Sequence, residues 1–77
     1  MAFEVKMPQY NMGMAVGTVT VWFKAEGHTV AEGESIAEIE SEKATNELIA
    51  PQAGVLTKIT VAEGENAAVG ELLAIIE

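Results

Sequence analysis

Seventy-seven residues carrying a net charge of −8 form one small domain without the phosphate-neutralising surface that nucleic acids or anionic membranes require. All 12 acids are Glu, all 4 bases are Lys, and there is no cysteine, which excludes a disulfide framework, a thiol nucleophile and a thiolate zinc site. The single histidine leaves no His cluster for a metal, no apolar run approaches the roughly 20 residues of a membrane span, and Met1–Lys6 is no signal peptide.

The chain opens with an expected strand, Ala2–Met7, followed by a long connection, Pro8–Val16. Thr18–Lys24 alternates and is rich in Val, Thr and aromatics, which predicts a strand with Val19, Val21 and Phe23 on one face. Phe23 is thereby expected in the core and Trp22 on the opposite, partly exposed face. Glu26-Gly27 is a turn, and His28 after it is expected in solvent. A short strand at Thr29-Val30, a turn at Glu32-Gly33-Glu34 and a strand Ser35–Glu40 complete the first half.

The second half repeats this plan. Shifted by about 37 positions, Gly17–Glu40 lies over Gly54–Glu77 without a gap, and Gly17/Gly54, Thr20/Thr57, Glu26/Glu63, Gly27/Gly64 and Gly33/Gly70 are among the identities. A leading strand Thr45–Ala50 is therefore followed by Val55–Val61, a turn at Glu63-Gly64, a short strand at Ala67-Ala68, a turn at Val69-Gly70-Glu71 and a strand Leu72–Glu77. Asn66–Ile76 alone could pass for an Ala/Leu helix, but Gly70 in its middle and the strand-like first copy argue for strand.

Eight short strands with a halfway repeat predict an all-β fold of two four-stranded antiparallel sheets packed face to face, with an internal pseudo-twofold axis. The expected organisation is one domain over residues 1–77, with repeat halves of about 1–40 and 41–77. Under that symmetry the turn Ser41–Ala44 and the two chain ends lie at opposite ends of the molecule. The connections after the leading strands are unequal, Pro8–Val16 against Pro51–Ala53, and the longer one belongs at the Ser41–Ala44 end. The symmetry breaks where function is expected. Lys43 is the lysine at that hairpin tip; on composition alone the tip is a solvated turn kept wet by Glu and Lys.

Glu42-Lys43-Ala44-Thr45, placed after Ile36–Glu40 and before Ala50-Pro51, resembles a lipoyl-attachment motif, in which Asp-Lys-Ala is usual. Met7-Pro8 with Met14-Ala15-Val16-Gly17-Thr18-Val19, and Trp22-Phe23-Lys24-Ala25-Glu26-Gly27, resemble the corresponding stretches of lipoyl domains of pyruvate or acetoin type. The likeness covers essentially the whole chain. Glu42 departs from Asp by one methylene, and Ala15-Val16 stand where an acidic residue commonly follows the loop methionine.

The resemblance implies a flattened barrel-sandwich fold and a swinging-arm carrier rather than an enzyme, part of a dihydrolipoyl acyltransferase. By that likeness Lys43 carries lipoate in amide linkage, with Glu42 and Ala44 forming the turn that a lipoate ligase or lipoyl transferase recognises. The implied cycle is reductive acylation by a thiamin-dependent decarboxylase, transfer to coenzyme A by the acyltransferase core, and reoxidation by a dihydrolipoyl dehydrogenase. Gln9, Tyr10, Asn11, Met12 and Met14 share the Lys43 end, either as a surface for the decarboxylase or as a loop packing its own Tyr and Met.

The expected setting is cytoplasmic, or the mitochondrial matrix in a eukaryote, with a monomeric domain and no metal, nucleic acid or membrane. An end at Glu77, where the last expected strand finishes, suits a trimmed domain and a free-standing carrier alike. Two rivals remain at this level: a biotinyl carrier domain of the same fold, whose lysine typically lies between methionines rather than Glu42 and Ala44, and an unmodified barrel-sandwich interaction module. Glu32/Glu34 and Glu63/Glu65 lack a calcium-loop pattern and are assigned to solvated turns, and Lys6, Lys24 and Lys58 to ordinary strand positions.

Overall fold

A computed structural model describes residues 2–77, and the regular structure among them is all strand. The first half supplies β1 (Phe3–Lys6), β2 (Val16–Trp22), β3 (Thr29–Val30) and β4 (Ser35–Glu40). The second supplies β5 (Thr45–Ile49), β6 (Gly54–Ile59), β7 (Asn66–Ala68) and β8 (Leu72–Ile76). Met1 lies outside the described residues. The Ala/Leu-rich stretch that might have been a helix is β7, a glycine turn and β8.

The strands form two four-stranded sheets, ordered β1-β8-β6-β3 and β5-β4-β2-β7, with antiparallel pairing throughout. Exchanging each strand with its repeat mate, β1 with β5 through β4 with β8, converts one order into the other. That exchange is the twofold relation the repeat predicts. Each sheet draws two strands from each half, so neither half can close a core by itself.

The core is built from repeat mates. Val19 and Leu56, Ile36 and Leu73, Ala37 and Ala74, and Ile39 and Ile76 all have no accessible surface. Two adjacent residues, Ile36 and Ala37, face inward together because β4 bulges against β5: Ser35 opposes Ile49 and Ala37 opposes Leu48. Such a bulge places two residues opposite one and breaks the alternation.

A second bulge corrects the expectation for the aromatics. In β2, Val19 opposes Ile39 and Val21 opposes Glu38, so Thr20 is the extra residue. The alternation reverses beyond it, and Trp22 faces the same side as its partner Ala37. Phe23 is consequently 49% exposed rather than core, while Trp22 packs on the core and donates its indole N–H to the Val61 carbonyl at 2.8 Å. Thr57 makes the same bulge in β6, between Leu56 and Lys58.

The bulges explain several of the repeat's identities. Thr20 Oγ1 donates to the Glu38 carbonyl and Thr57 Oγ1 to the Ile75 carbonyl. Beyond each bulge the strand's next N–H is taken by a turn glutamate of the opposite half: Trp22 N–H by Glu63 and Ile59 N–H by Glu26, both at 2.8 Å. Hydrogen bonds to a charged acceptor are the stronger kind, and this reciprocal pair stitches the halves together where the ladders are interrupted.

Candidate functional site

β4 and β5 run side by side until Glu40 opposes Thr45, and Ser41, Glu42, Lys43 and Ala44 close the hairpin. Ser41 donates twice to one acceptor, the Ala44 carbonyl, through its N–H at 2.8 Å and its hydroxyl at 3.1 Å. Glu42, Lys43 and Ala44 are exposed. The ion pairs among the described residues are Lys6 with Glu4 at 3.8 Å and Lys24 with Glu34 at 2.9 Å, so the Lys43 amine is engaged by neither. The hairpin thus holds a free primary amine out in solvent on a short, hydrogen-bonded base.

The long connection arrives at this same end. β1 pairs with β8 so that Phe3 opposes Ile76 and Lys6 opposes Leu72, which sends both chain ends away from the Lys43 tip and brings Met7 toward it. Met7 is tied to the start of β8 by exchanged bonds with Gly70 and Glu71, both at 2.9 Å. Val5 and Leu48 occupy matching positions opposite Ala74 and Ala37, which makes Pro8 the mate of Pro51. Pro8 lies nine residues before Gly17 and Pro51 three before Gly54. The first connection therefore carries an insertion of six residues, and all of it sits beside Lys43.

That insertion is a folded loop. Met14 is buried against the core and Tyr10 packs partly against it. The Gln9 amide donates to the Met14 carbonyl at 3.2 Å, and the Tyr10 hydroxyl to the Glu47 carbonyl of β5 at 3.3 Å. Burial pushes the Tyr10 hydroxyl above its ordinary value of about 10, which keeps it a donor. Met12, by contrast, is 91% exposed. Of the five loop residues singled out from sequence, Met14 therefore presents no side chain to a partner, Tyr10 presents part of one, and Met12 presents nearly all of its own.

Two shallow clefts flank the tip. One of about 200 Å³ lies between Asn11, Met12 and Met14 of the loop, Val16 at the start of β2, and Ser41 and Lys43 of the hairpin. The other, about 250 Å³, is bounded by Val16, Thr18, Glu40, Glu42 and Asn66. Val16 borders both and is 51% exposed. Its role is not readable from the chain, where it looks like one more strand valine. Ser41 also belongs to the site, and a serine at the first position of a turn is a recognisable signal in the chain.

Among the described residues, no acid, histidine or hydroxyl hydrogen-bonds the Lys43 amine, and the geometry contains no nucleophile–base pair. What it offers is an anchor: an accessible amine suited to amide formation, with an apolar rim made by Met12 and Val16.

Comparison with known proteins gives a consistent picture. The model of the family described as "Biotin-requiring enzyme" matches residues 3–76. The chain is 44% identical, over 77 residues, to the dihydrolipoyllysine-residue acetyltransferase component of the pyruvate dehydrogenase complex of Zymomonas mobilis, covering 99% of the chain and 18% of that protein. It is 45% identical, over 76 residues, to the dihydrolipoyllysine-residue acetyltransferase component of the acetoin cleaving system of Bacillus subtilis, covering 99% of the chain and 19% of that protein. The chain thus spans about a fifth of the length of these curated relatives. Among solved structures, the lipoyl domain of the 2-oxoglutarate dehydrogenase complex of Azotobacter vinelandii superposes with a TM-score of 0.79 at 35% identity, covering 96% of this chain and 94% of that one.

Proposed function

The chain belongs to the biotin- and lipoyl-attachment family and is a non-catalytic, lipoyl-type carrier domain, and we propose that Lys43 is the lysine on which it carries lipoate. The observation that carries this reading is the position of Lys43: an exposed, unpaired amine at the apex of a hairpin, at the end remote from both chain ends. The residues present fit the group. An amide needs a primary amine that an enzyme can reach, and a swinging arm needs a base that does not swing with it.

Bound lipoate supplies a dithiolane that accepts an acyl group with reduction and releases it to a thiol; that chemistry is the cofactor's own. The protein's share is position. Ser41 and Ala44 fix the turn, Glu42 and Ala44 flank the lysine as the ligase meets it, and the strands beneath set which way the lysine points, since a one-residue slip would redirect it. Among the described residues no side chain hydrogen-bonds the amine, so activating it falls to the ligase's site. Chain continuing from either end would leave the apex free, and tethering then raises the effective concentration of the arm at each site it visits.

On this reading the partners are a lipoate ligase or lipoyl transferase, a thiamin-dependent decarboxylase, an acyltransferase core and a dihydrolipoyl dehydrogenase, in a complex of pyruvate or acetoin type. The decarboxylase meets the exposed part of the Gln9–Met14 loop, above all Met12. Met12→Ala is expected to slow reductive acylation several-fold while lipoylation proceeds at the parent rate. Equal acylation rates for variant and parent would remove Met12 from that surface.

Intact-mass measurement tests the carrier reading directly. Expression with lipoate and a lipoate ligase is expected to add one lipoyl mass, and expression with biotin and a biotin ligase to add nothing. A biotin-sized gain would make the domain a biotinyl carrier. No gain in either arm would make it an unmodified interaction module.

A further inference from the structure

We propose that Ser41 is a positioning residue for Lys43, and that its hydroxyl is what presents the amine to the modifying enzyme in one geometry; this rests on Lys43 being the attachment lysine. Five of the seven connections between strands turn on a glycine at positive φ, and the Lys43 turn and residues 50–53 do not. The loop before β2 and the four turns after β2, β3, β6 and β7 each contain a glycine at positive φ, between 86° and 92°: Gly13, Gly27, Gly33, Gly64 and Gly70. The Lys43 turn contains no glycine. No non-glycine residue among those described has positive φ, so Glu42 and Lys43 both keep negative φ.

That excludes the type I′ and II′ turns, whose twist matches the flanking strands, since these need positive φ at the first or at both central residues. A turn built from negative φ values splays the strands it joins. Closure of this hairpin end therefore does not come from turn twist, and the bonds across it, both reaching the Ala44 carbonyl, come from Ser41. The backbone N–H would be present in any residue but proline. The hydroxyl is specific to serine or threonine and supplies the second bond at 3.1 Å.

Rigidity matters here because Lys43 is two residues beyond Ser41 and has no other restraint: it is exposed and joins neither ion pair. A glycine would have closed the turn with the twist the strands prefer, but would have left the lysine on the most permissive backbone available. Serine closes the turn from outside the two central residues. The amine then projects from backbone whose freedom is already reduced, and the enzyme that acylates it has less conformational entropy to remove on binding.

The test uses the full chain and three proteins: parent, Ser41→Ala and Ser41→Thr. Loss of one neutral hydrogen bond corresponds to a factor of roughly three to ten. Ser41→Ala is expected to raise the KM of the domain for lipoate ligase by about that factor, with kcat unchanged, while Ser41→Thr stays at the parent value. Independently of lipoate, the backbone order parameters of Glu42 and Lys43 are expected to fall from rigid-strand values toward the flexible range in Ser41→Ala and to stay high in Ser41→Thr.

Parent-like KM and order parameters in Ser41→Ala would overturn the inference, as would Ser41→Thr behaving like Ser41→Ala. Failure of the parent itself to accept lipoate would instead overturn the assignment of Lys43, while the order parameters would still report on the turn.

Discussion

Lys43→Gln will abolish acyl transfer through this domain while leaving its unfolding free energy within about 0.5 kcal/mol of the parent, the usual range for a surface substitution remote from packing or hydrogen bonds. The amide bond requires a primary amine, and glutamine has none. The fold does not depend on the side chain, which is exposed and makes no ion pair. Lys43→Arg is the informative companion. It keeps a long basic side chain but offers no acylable primary amine, so it should be as inactive as Lys43→Gln.

The other lysines are not substitutes. Lys24 is held by Glu34 at 2.9 Å, Lys6 lies 3.8 Å from Glu4, and Lys58 lies within β6 rather than at a turn. Lipoyl mass and acyl turnover should both fall to background in either variant. Transfer persisting in Lys43→Gln would mean that the arm is mounted elsewhere.

Gly54→Ala will cost about 3 kcal/mol, several times the cost of the same change at its repeat mate Gly17. An added Cβ at Gly54 would stand 2.6 Å from the Glu77 carbonyl oxygen and 2.8 Å from Cγ2 of Ile76. The Glu77 backbone is pinned by a two-way hydrogen-bond exchange with Val55, at 2.7 and 2.9 Å, and Ile76 has no accessible surface. Neither neighbour can retreat without opening β6 from the end of β8. Overpacking of this kind costs about 1–3 kcal/mol.

At Gly17 the new Cβ meets Cγ2 of Ile39 at 2.9 Å and the terminal methyls of Met14 and Met7 at 3.0 and 3.2 Å. Each site meets one buried isoleucine methyl, but at Gly17 the other two contacts are methionine ends, which can move, and no backbone atom stands where the Glu77 carbonyl does at Gly54. The expected cost there is therefore about 1 kcal/mol, at the low end of the overpacking range. A core of this size rarely supplies more than about 3–5 kcal/mol in total, so Gly54→Ala should be largely unfolded in mild urea. Equal urea midpoints for the two variants would show that the two sites relax alike.

The architecture was legible because the chain states it twice. Gly17/Gly54 and Gly27/Gly64 in register set the doubled plan, although β2 and β6 begin earlier than expected and end two residues before the expected Lys24 and Val61. The repeat also carried the weak helical stretch Asn66–Ile76 over to strand. The same periodic reading placed Phe23 inside and Trp22 outside, and there it failed. A bulge at Thr20 adds one residue without altering the local alternation of apolar and polar side chains, so nothing nearby announces the reversal. Only the repeat holds a hint: Trp22 has Ile59 as its mate, whereas Phe23 has the polar Thr60.

At the site, Lys43, Glu42 and Ala44 were readable from motif order and spacing. The six-residue insertion was readable from the unequal connections. Which of its residues face outward was not. Met12 and Met14 are the same residue type two positions apart. What sends Met14 in and Met12 out is the turn bond from Met14 N–H to the Asn11 carbonyl at 3.2 Å, the bonds that the Gln9 amide and the Tyr10 N–H donate to Met14, and its contact with the core. Ser41 is legible in the chain only as a turn residue; that its hydroxyl reaches the Ala44 carbonyl three residues on is seen only in the structure.

The central claim is that one amine, Lys43, is the mount for the carried group. Tandem mass spectrometry of peptides from the lipoylated chain tests it most directly, because all four lysines are read in one experiment. The whole lipoyl label is expected on the peptide containing Lys43 and none on Lys6, Lys24 or Lys58. Label on any of those three, or a chain that takes biotin in its place, would contradict it.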